Sequence, residues 1–301
     1  MKQRLLLTGA TGFVGRLIQA AGMPGSEWEL FPLDGVDLRE RQVLESVIAS
    51  KGKLDGVLHL AAQSFVPKSF DDPQETFSTN IIGTLNLIEA LRHTGFQGRF
   101  LYVSSGDVYG RVEEADLPVR ESRLPAPGNP YAVSKVAAEQ CCLAWQRAYG
   151  FDVVVARPFN HIGPGQDARF VIPSLARQVV AIKEGRQEPL ITVGDIDVTR
   201  DFTDVRDIVA AYSALLHKGH TGRIYNVGSG RDRSVREMLS TMLEIEQVEA
   251  EIKVDASRLR PGEQRRVVAD CTLIHEDTAW RPKIDIRRTL EDILNNSKEN
   301  Q

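Results

Sequence analysis

Leu5-Leu6-Leu7-Thr8-Gly9-Ala10-Thr11-Gly12-Phe13-Val14-Gly15 decides the fold. Three consecutive leucines suffice for a buried strand and fall far short of a signal peptide or membrane span. They run into glycines at three-residue intervals, the spacing of a strand-to-helix turn that receives a dinucleotide pyrophosphate. In such a turn Gly9 permits the tight bend, Gly12 lets the main chain approach the phosphates and Gly15 lets the helix pack on the strand. The amides of the helix start, around Thr11, Phe13 and Val14, then face the phosphates, aided by the positive end of the helix dipole. The spacing departs from that of dehydrogenases with separate cofactor domains by one extra residue between the first two glycines. The bland alternative is a glycine turn with no ligand.

Outward from this turn, a second strand from Trp28 to Leu33 ends at Asp34, about 20 residues past Gly15, where a carboxylate holds a ribose hydroxyl. A carboxylate there favours NAD by repelling a 2′-phosphate. Asp37 and Leu38, assigned to the coenzyme site with it, follow so closely that Asp34 reads equally as a turn residue, so NADH and NADPH both stay open. A strand from Gly56 to Leu60 leads into Ala61-Ala62-Gln63, small residues against which a nicotinamide ribose can lie.

The next strand, Arg99 to Val103, delivers Ser104-Ser105-Gly106-Asp107-Val108-Tyr109-Gly110 at its carboxyl end, where open parallel sheets place ligands. Asn129-Pro130-Tyr131 opens a helix, with Pro130 suited to its first turn. Tyr131 and Lys135 are four apart and share a helical face. A free phenol titrates near 10, and a neighbouring ammonium is expected to lower that value. Ser105 is placed to hydrogen-bond the same substrate oxygen. A Tyr-x-x-x-Lys pair alone is common by chance and reads as a surface pair. Behind the glycine turn and the Ser-Ser strand end, it points to hydride and proton transfer.

At these residues the chain resembles the extended short-chain dehydrogenase/reductase family, through Thr8-Gly-x-x-Gly-x-x-Gly15, His59-Leu-Ala-Ala62, Asn80 in Asn80-Ile-Ile-Gly83, Ser104 to Gly110, Tyr131-x-x-x-Lys135 and Arg157-Pro-Phe-Asn160. The resemblance implies Tyr131 as proton donor or base, Lys135 as its activator and anchor of the nicotinamide ribose, and Ser105 as the carbonyl-orienting hydroxyl. Phe159-Asn160-His161, Phe170-Val171, the Gly194 to Phe202 stretch and Arg260-Pro261-Gly262-Glu263 resemble the GDP-mannose-modifying branch. The substrate class implied is a GDP-linked 6-deoxy-4-keto hexose. Arg200 and Arg260 suit a diphosphate, which a guanidinium grips with parallel hydrogen bonds. The plainer readings are an Arg200 salt bridge to Asp201 or Asp204 and a solvated Arg260. Asn160 positions sugar or phosphate, and Glu263 accepts from guanine or ribose.

Within the branch, the 4,6-dehydratase keeps an extra loop after the second strand and a Glu where this chain has Asp107. The few residues between Leu33 and Leu38 favour instead the 4-keto reductase, whose product is GDP-D-rhamnose. Asp107 can still abstract a proton, so the dehydratase stays as the alternative. A dinucleotide-binding module without turnover is a third reading, which Ser105, Tyr131 and Lys135 together oppose. The family further implies a homodimer packed through helices near Asp72–Thr94 and Tyr131–Tyr149.

The 301 residues suit one large or two coupled units. Alternating strand and helix signals predict an α/β fold with a doubly wound parallel sheet and right-handed crossovers. Residues 1–158 with about 203–228 form the dinucleotide-binding unit, and 159–202 with 229–301 a smaller α/β substrate unit. A helix from about Asp72 to Thr94 carries Phe77, Ile81, Leu85, Ile88 and Leu91 as a buried stripe. A net charge of −4 with interspersed signs leaves no basic stripe for nucleic acid. No apolar run reaches membrane-spanning length. Cys141, Cys142 and Cys271 have no paired or metal-ligand spacing and read as packing thiols of a reducing cytoplasm. The six histidines form no metal set, and His59 and His161 read as structural.

Overall fold

Six of the apolar runs pair in parallel in a computed structural model, which describes residues 2–25, 27–256 and 264–299. Across the sheet the strands lie in the order Trp28–Leu33, Gln3–Thr8, Gly56–His59, Arg99–Val103, Asp152–Pro158, Ile224–Val227. The first strand therefore has the second on one side and the third on the other. That reversal is the topological switch point, beyond whose carboxyl end open α/β sheets bind ligands. Thr8 pairs with Leu33 and with His59, so Gly9, Asp34 and Leu60 leave the sheet at the same level.

Alternation along the strands builds two apolar layers. On one face Leu5, Leu7, Leu101, Val103 and Val154 pack against the helices Phe13–Ala21 and Val205–Lys218. On the other, Leu6, Val57, Phe100, Tyr102 and Val155 meet Arg41–Ser50, Gly83–His93 and Pro130–Tyr149. A separate cluster joins the helices Val171–Lys183, Val235–Glu246 and Ile286–Glu299 through Leu175, Val179, Leu239, Met242, Leu290 and Leu294. The paired strands Leu190–Val193 and Glu251–Val254 add Ile191 and Val193 to it.

One helix differs from its sequence reading. Instead of running from Asp72 to Thr94, the chain forms Pro73–Phe77, a π-helical turn Ser78–Ile82, and Gly83–His93. The wider turn inserts a residue and rotates the face, leaving Phe77 and Ile82 exposed while Leu87, Ile88, Ala90 and Leu91 are buried. Such bulges concentrate at functional sites, and this one contains Asn80.

Candidate active site

The glycine turn has the form that a pyrophosphate requires. Gly9 adopts φ +68°, and a Cβ there would sit 2.7 Å from the Ala61 nitrogen. A Cβ on Gly15 would lie 2.3 Å from the Gly9 carbonyl and 2.6 Å from the Ala10 Cα. Both positions need glycine, one for backbone conformation and one for contact. Gly12 caps Phe13–Ala21 with no side-chain hydrogen bond to the first turn, so no cap competes there for a ligand. The Phe13 ring stacks on His161, 6.1 Å between centroids, and Arg16 bonds both the Thr11 and Gly165 carbonyls. Val14 and Leu60 pack into the core layer beneath.

Behind the turn lies a buried chain of hydrogen bonds running in one direction. The Thr84 hydroxyl donates to the Asn80 carbonyl at 2.7 Å, so its oxygen accepts from His59 Nε2 at 2.8 Å. His59 Nδ1 must then accept from the Thr8 hydroxyl at 2.7 Å, whose oxygen accepts from the Ala61 amide at 3.1 Å. Burial, reinforced by the Lys135 charge, pushes the His59 pKa down to about 3, so the ring stays neutral and serves as a brace. Asn80 is also buried. Its amide accepts from the Gln63 amide and donates to the Gln63 carbonyl and the Ser134 hydroxyl. It thereby ties the loop after the third strand, with Ala61 and Ala62, to the helix of Tyr131.

A cleft of about 410 Å³ opens at the switch point, lined by Gly9, Thr11, Asp34, Asp37, Leu38 and Ala61 among others. These are six of the residues assigned to a dinucleotide from sequence. Sequence reasoning missed Arg39 and Glu75, which also line it. The Arg39 guanidinium reaches Asp37 at 2.6 Å and Glu75 at 2.7 Å. The arginine beside it holds the Asp37 carboxyl below its usual range. With its glycine cradle, open helix start and ribose-level carboxylates, the cleft fits a dinucleotide.

At the end of Arg99–Val103, Ser105 caps a short 3₁₀ turn by accepting from the Asp107 amide at 3.1 Å. Asn129 caps the Pro130–Tyr149 helix, accepting from the Ala132 amide at 2.8 Å, which fixes the entry of Tyr131. Tyr131 is buried, and Ser105 is close enough to act on its phenol. Lys135, 3% exposed, donates to the Val103 carbonyl at 2.7 Å and lies 5.0 Å over the Tyr102 ring. The expected lowering of the phenol does not occur in this geometry. Burial, then the Asp107 charge, raise Tyr131 above its ordinary value, and Ser105 offsets only part. Burial lowers Lys135 to about 8, against an opposing pull from Glu139. One turn further along, Glu139 forms a fully buried pair with Arg157 at 2.7 Å, and Arg157 lies 4.8 Å over the Tyr109 ring.

On the substrate side, Asn160 is exposed while its carbonyl accepts from the Thr203 amide. Arg200 donates to the Thr199 and Gln264 carbonyls, both at 2.8 Å. Its neighbour Asp201 is buried and accepts from the Ser229, Gly230 and Ala269 amides. Asp204 is held by Arg206. Arg260 and Glu263 lie outside the described residues. No grouping of metal-ligating side chains occurs among the described residues, nor a helix long and apolar enough to cross a membrane.

Comparison with known proteins agrees with this geometry. A family model described as GDP-mannose 4,6 dehydratase matches residues 19–293. The GDP-6-deoxy-D-mannose reductase of Pseudomonas aeruginosa is 49% identical over 296 residues, 98% of this chain and 97% of that one. The structure of RMD from the same organism, complexed with NADPH, superposes with a TM-score of 0.94 at 48% identity, covering 99% of this chain and 100% of the other. A Thermus thermophilus UDP-glucose 4-epimerase complexed with NAD gives 0.85 at 28% identity, covering 99% and 100%. The chain belongs to the GDP-mannose 4,6 dehydratase family, within the extended short-chain dehydrogenase/reductases.

Proposed function

We propose that this chain is a nucleotide-sugar reductase that reduces the 4-keto group of GDP-4-dehydro-6-deoxy-D-mannose to GDP-D-rhamnose, using NADPH or NADH. The observation that carries the reading is a buried Tyr131 influenced by Ser105, which follows the carboxyl end of a parallel strand, in a sheet whose switch point opens a cleft shaped for a dinucleotide. The similarity to the P. aeruginosa reductase supports it.

When bound, the reduced nicotinamide supplies the hydride. The chain's own residues handle the oxygen. Tyr131, kept protonated by burial and by Asp107, donates its proton to the oxygen on carbon 4 as charge grows there. Ser105 donates a hydrogen bond to the same oxygen, and the ammonium of Lys135 adds a positive field, both acting more on the transition state than on the ketone. Asp107 has no proton to abstract in a reduction; its carboxylate keeps the phenol in its acid form. Asn160 and Arg200 hold the sugar and diphosphate, together with Arg260 and Glu263.

Phe70, Phe77, Ile82 and Val133 leave exposed apolar surface on helices that pack together. A homodimer through this face is part of the proposal, and Ile82→Glu with Val133→Glu should halve the mass measured by light scattering.

The test of the activity supplies the 4-keto-6-deoxy GDP-sugar with reduced cofactor and follows nicotinamide absorbance and product. Oxidation of the cofactor with the keto sugar but not with GDP-mannose is expected. Conversion of GDP-mannose without net cofactor consumption would make the chain a dehydratase.

A further inference from the structure

The proton-transfer set leaves unexplained a charge cluster in the lining of the cleft. Arg39 follows the second strand, where the ribose of a dinucleotide sits at the switch point. Among the described residues lining the cleft, it carries the one positive charge, against Asp34, Asp37 and Glu75. Its guanidinium is committed twice. Nε and Nη2 face Asp37 at 2.9 and 2.6 Å, while Nη1 meets Glu75 at 2.7 Å. Glu75 comes from a different element, the first turn of Pro73–Phe77, where the Asp72 cap fixes its amide at 2.9 Å. Asp37 is local to Arg39; Glu75 lies 36 residues away in sequence and lines the same cleft.

We propose that Glu75 sets the coenzyme preference of this chain by competing with the ribose 2′-phosphate for the Arg39 guanidinium. This rests on the reading of the cleft as the dinucleotide site. A 2′-phosphate needs parallel N–H donors from a guanidinium, its strongest partner. While Nη1 is bonded to Glu75, NADPH must displace a carboxylate to obtain that fork, whereas the 2′-hydroxyl of NADH asks nothing of Arg39 and can donate to Asp34. The Arg39, Asp37 and Glu75 side chains are about a third exposed or slightly more. Ion pairs so placed are screened and weak, so Glu75 biases the choice without forbidding either coenzyme.

The experiment measures dissociation constants of NADPH and NADH by fluorescence titration for the parent, Glu75→Gln, Arg39→Met and the double variant, with turnover recorded separately. Glu75→Gln should tighten NADPH by about two- to fivefold, the worth of the exposed ion pair that no longer holds Arg39 Nη1, and change NADH less than about twofold. Arg39→Met should weaken NADPH by about tenfold and spare NADH, which also reports that the variant is folded. Competition through Arg39 further requires that Glu75→Gln gain much less in the Arg39→Met background. An equal gain there would mean simple repulsion by Glu75 and would overturn the proposal, as would an unchanged NADPH-to-NADH ratio in Glu75→Gln. If the parent bound neither coenzyme, the cleft reading itself would fall. Coenzymes bound with an insensitive ratio would remove only the role of Glu75.

Discussion

Lys135 should trade stability against activity in a pH window set by its burial. The ammonium is 3% exposed, and its pKa falls from 10.5 to about 8. Between those values the unfolded chain binds a proton that the folded chain does not, so stability rises with pH across the window. Above 10.5 both states are neutral and the folded state carries no penalty; the penalty grows as pH falls from 10.5 to 8 and is complete below 8. Between pH 7 and pH 10 the single-site linkage amounts to about 2.5 kcal/mol of added stability, using RT ln of the ratio of binding polynomials. Other groups titrate in the same range, among them buried tyrosines that resist ionisation in the fold. The measurement is therefore a difference: urea unfolding of the parent and of Lys135→Met at several pH values.

The parent curve should rise relative to the variant by about 2.5 kcal/mol between pH 7 and pH 10. Over the same interval kcat/KM for keto-sugar reduction should fall about tenfold per pH unit above 8, because the charge that stabilises the developing alkoxide is lost. Stability and activity thus move in opposite directions, a signature that general alkaline damage does not produce. Parallel stability curves for parent and variant would refute the buried-ammonium argument, and a flat rate above pH 8 would refute the requirement for its charge.

Tyr131→Phe should lower kcat by about 10²- to 10⁴-fold, the range of a lost general acid, with coenzyme affinity within about twofold; near-parent turnover removes Tyr131 from the role. Gly15→Ala places a methyl 2.3 Å from the Gly9 carbonyl, so the turn must shift, costing about 1–3 kcal/mol. Coenzyme titration should show at least about tenfold weaker binding, and parent-like binding would mean the turn does not need its close approach. Glu139→Gln removes one partner of a fully buried pair with Arg157 and should destabilise by about 3–5 kcal/mol; an unfolding free energy within 1 kcal/mol of the parent would contradict that.

The features legible in the sequence are those fixed by neighbouring residues. Gly9 and Gly15 are dictated by one bend and one close contact, and Asn129 and Pro130 by the start of one helix, so each could be read from a few residues. The parallel sheet followed from short apolar runs alternating with helical periodicity. What escaped notice depends on long-range meetings. Arg39 meets Glu75 across 36 residues, and Asn80 meets Ser134 across 54. Neither pair has a spacing signal, although Arg39 two residues past Asp37, at a strand end already assigned to ribose, was a cue available in the sequence. The π turn at Ser78–Ile82 was invisible because helical periodicity assumes 3.6 residues per turn throughout. The raised pKa of Tyr131 is hidden from the sequence for a related reason. A four-residue spacing shows that an ammonium lies nearby, but not that the phenol is out of water, and here burial dominates.

That raised phenol bears on which reaction the site favours. Oxidising a sugar alcohol at carbon 4, the opening step of a dehydration, needs Tyr131 as a base, and so as phenolate near neutral pH. Reducing a ketone needs it as an acid, already carrying its proton. In this chain burial opposes the phenolate, and Asp107, the shorter acid at the position where a dehydratase carries Glu, opposes it further. Lys135 directs its ammonium to the Val103 carbonyl, so its charge supports the oxygen through the field of the site rather than by drawing the proton from Tyr131 beforehand. At rest the phenol keeps its proton, so it is available to a ketone oxygen once charge grows there, while action as a phenolate base is opposed. The local electrostatics thus hold Tyr131 in the protonated form that a ketone reduction begins from.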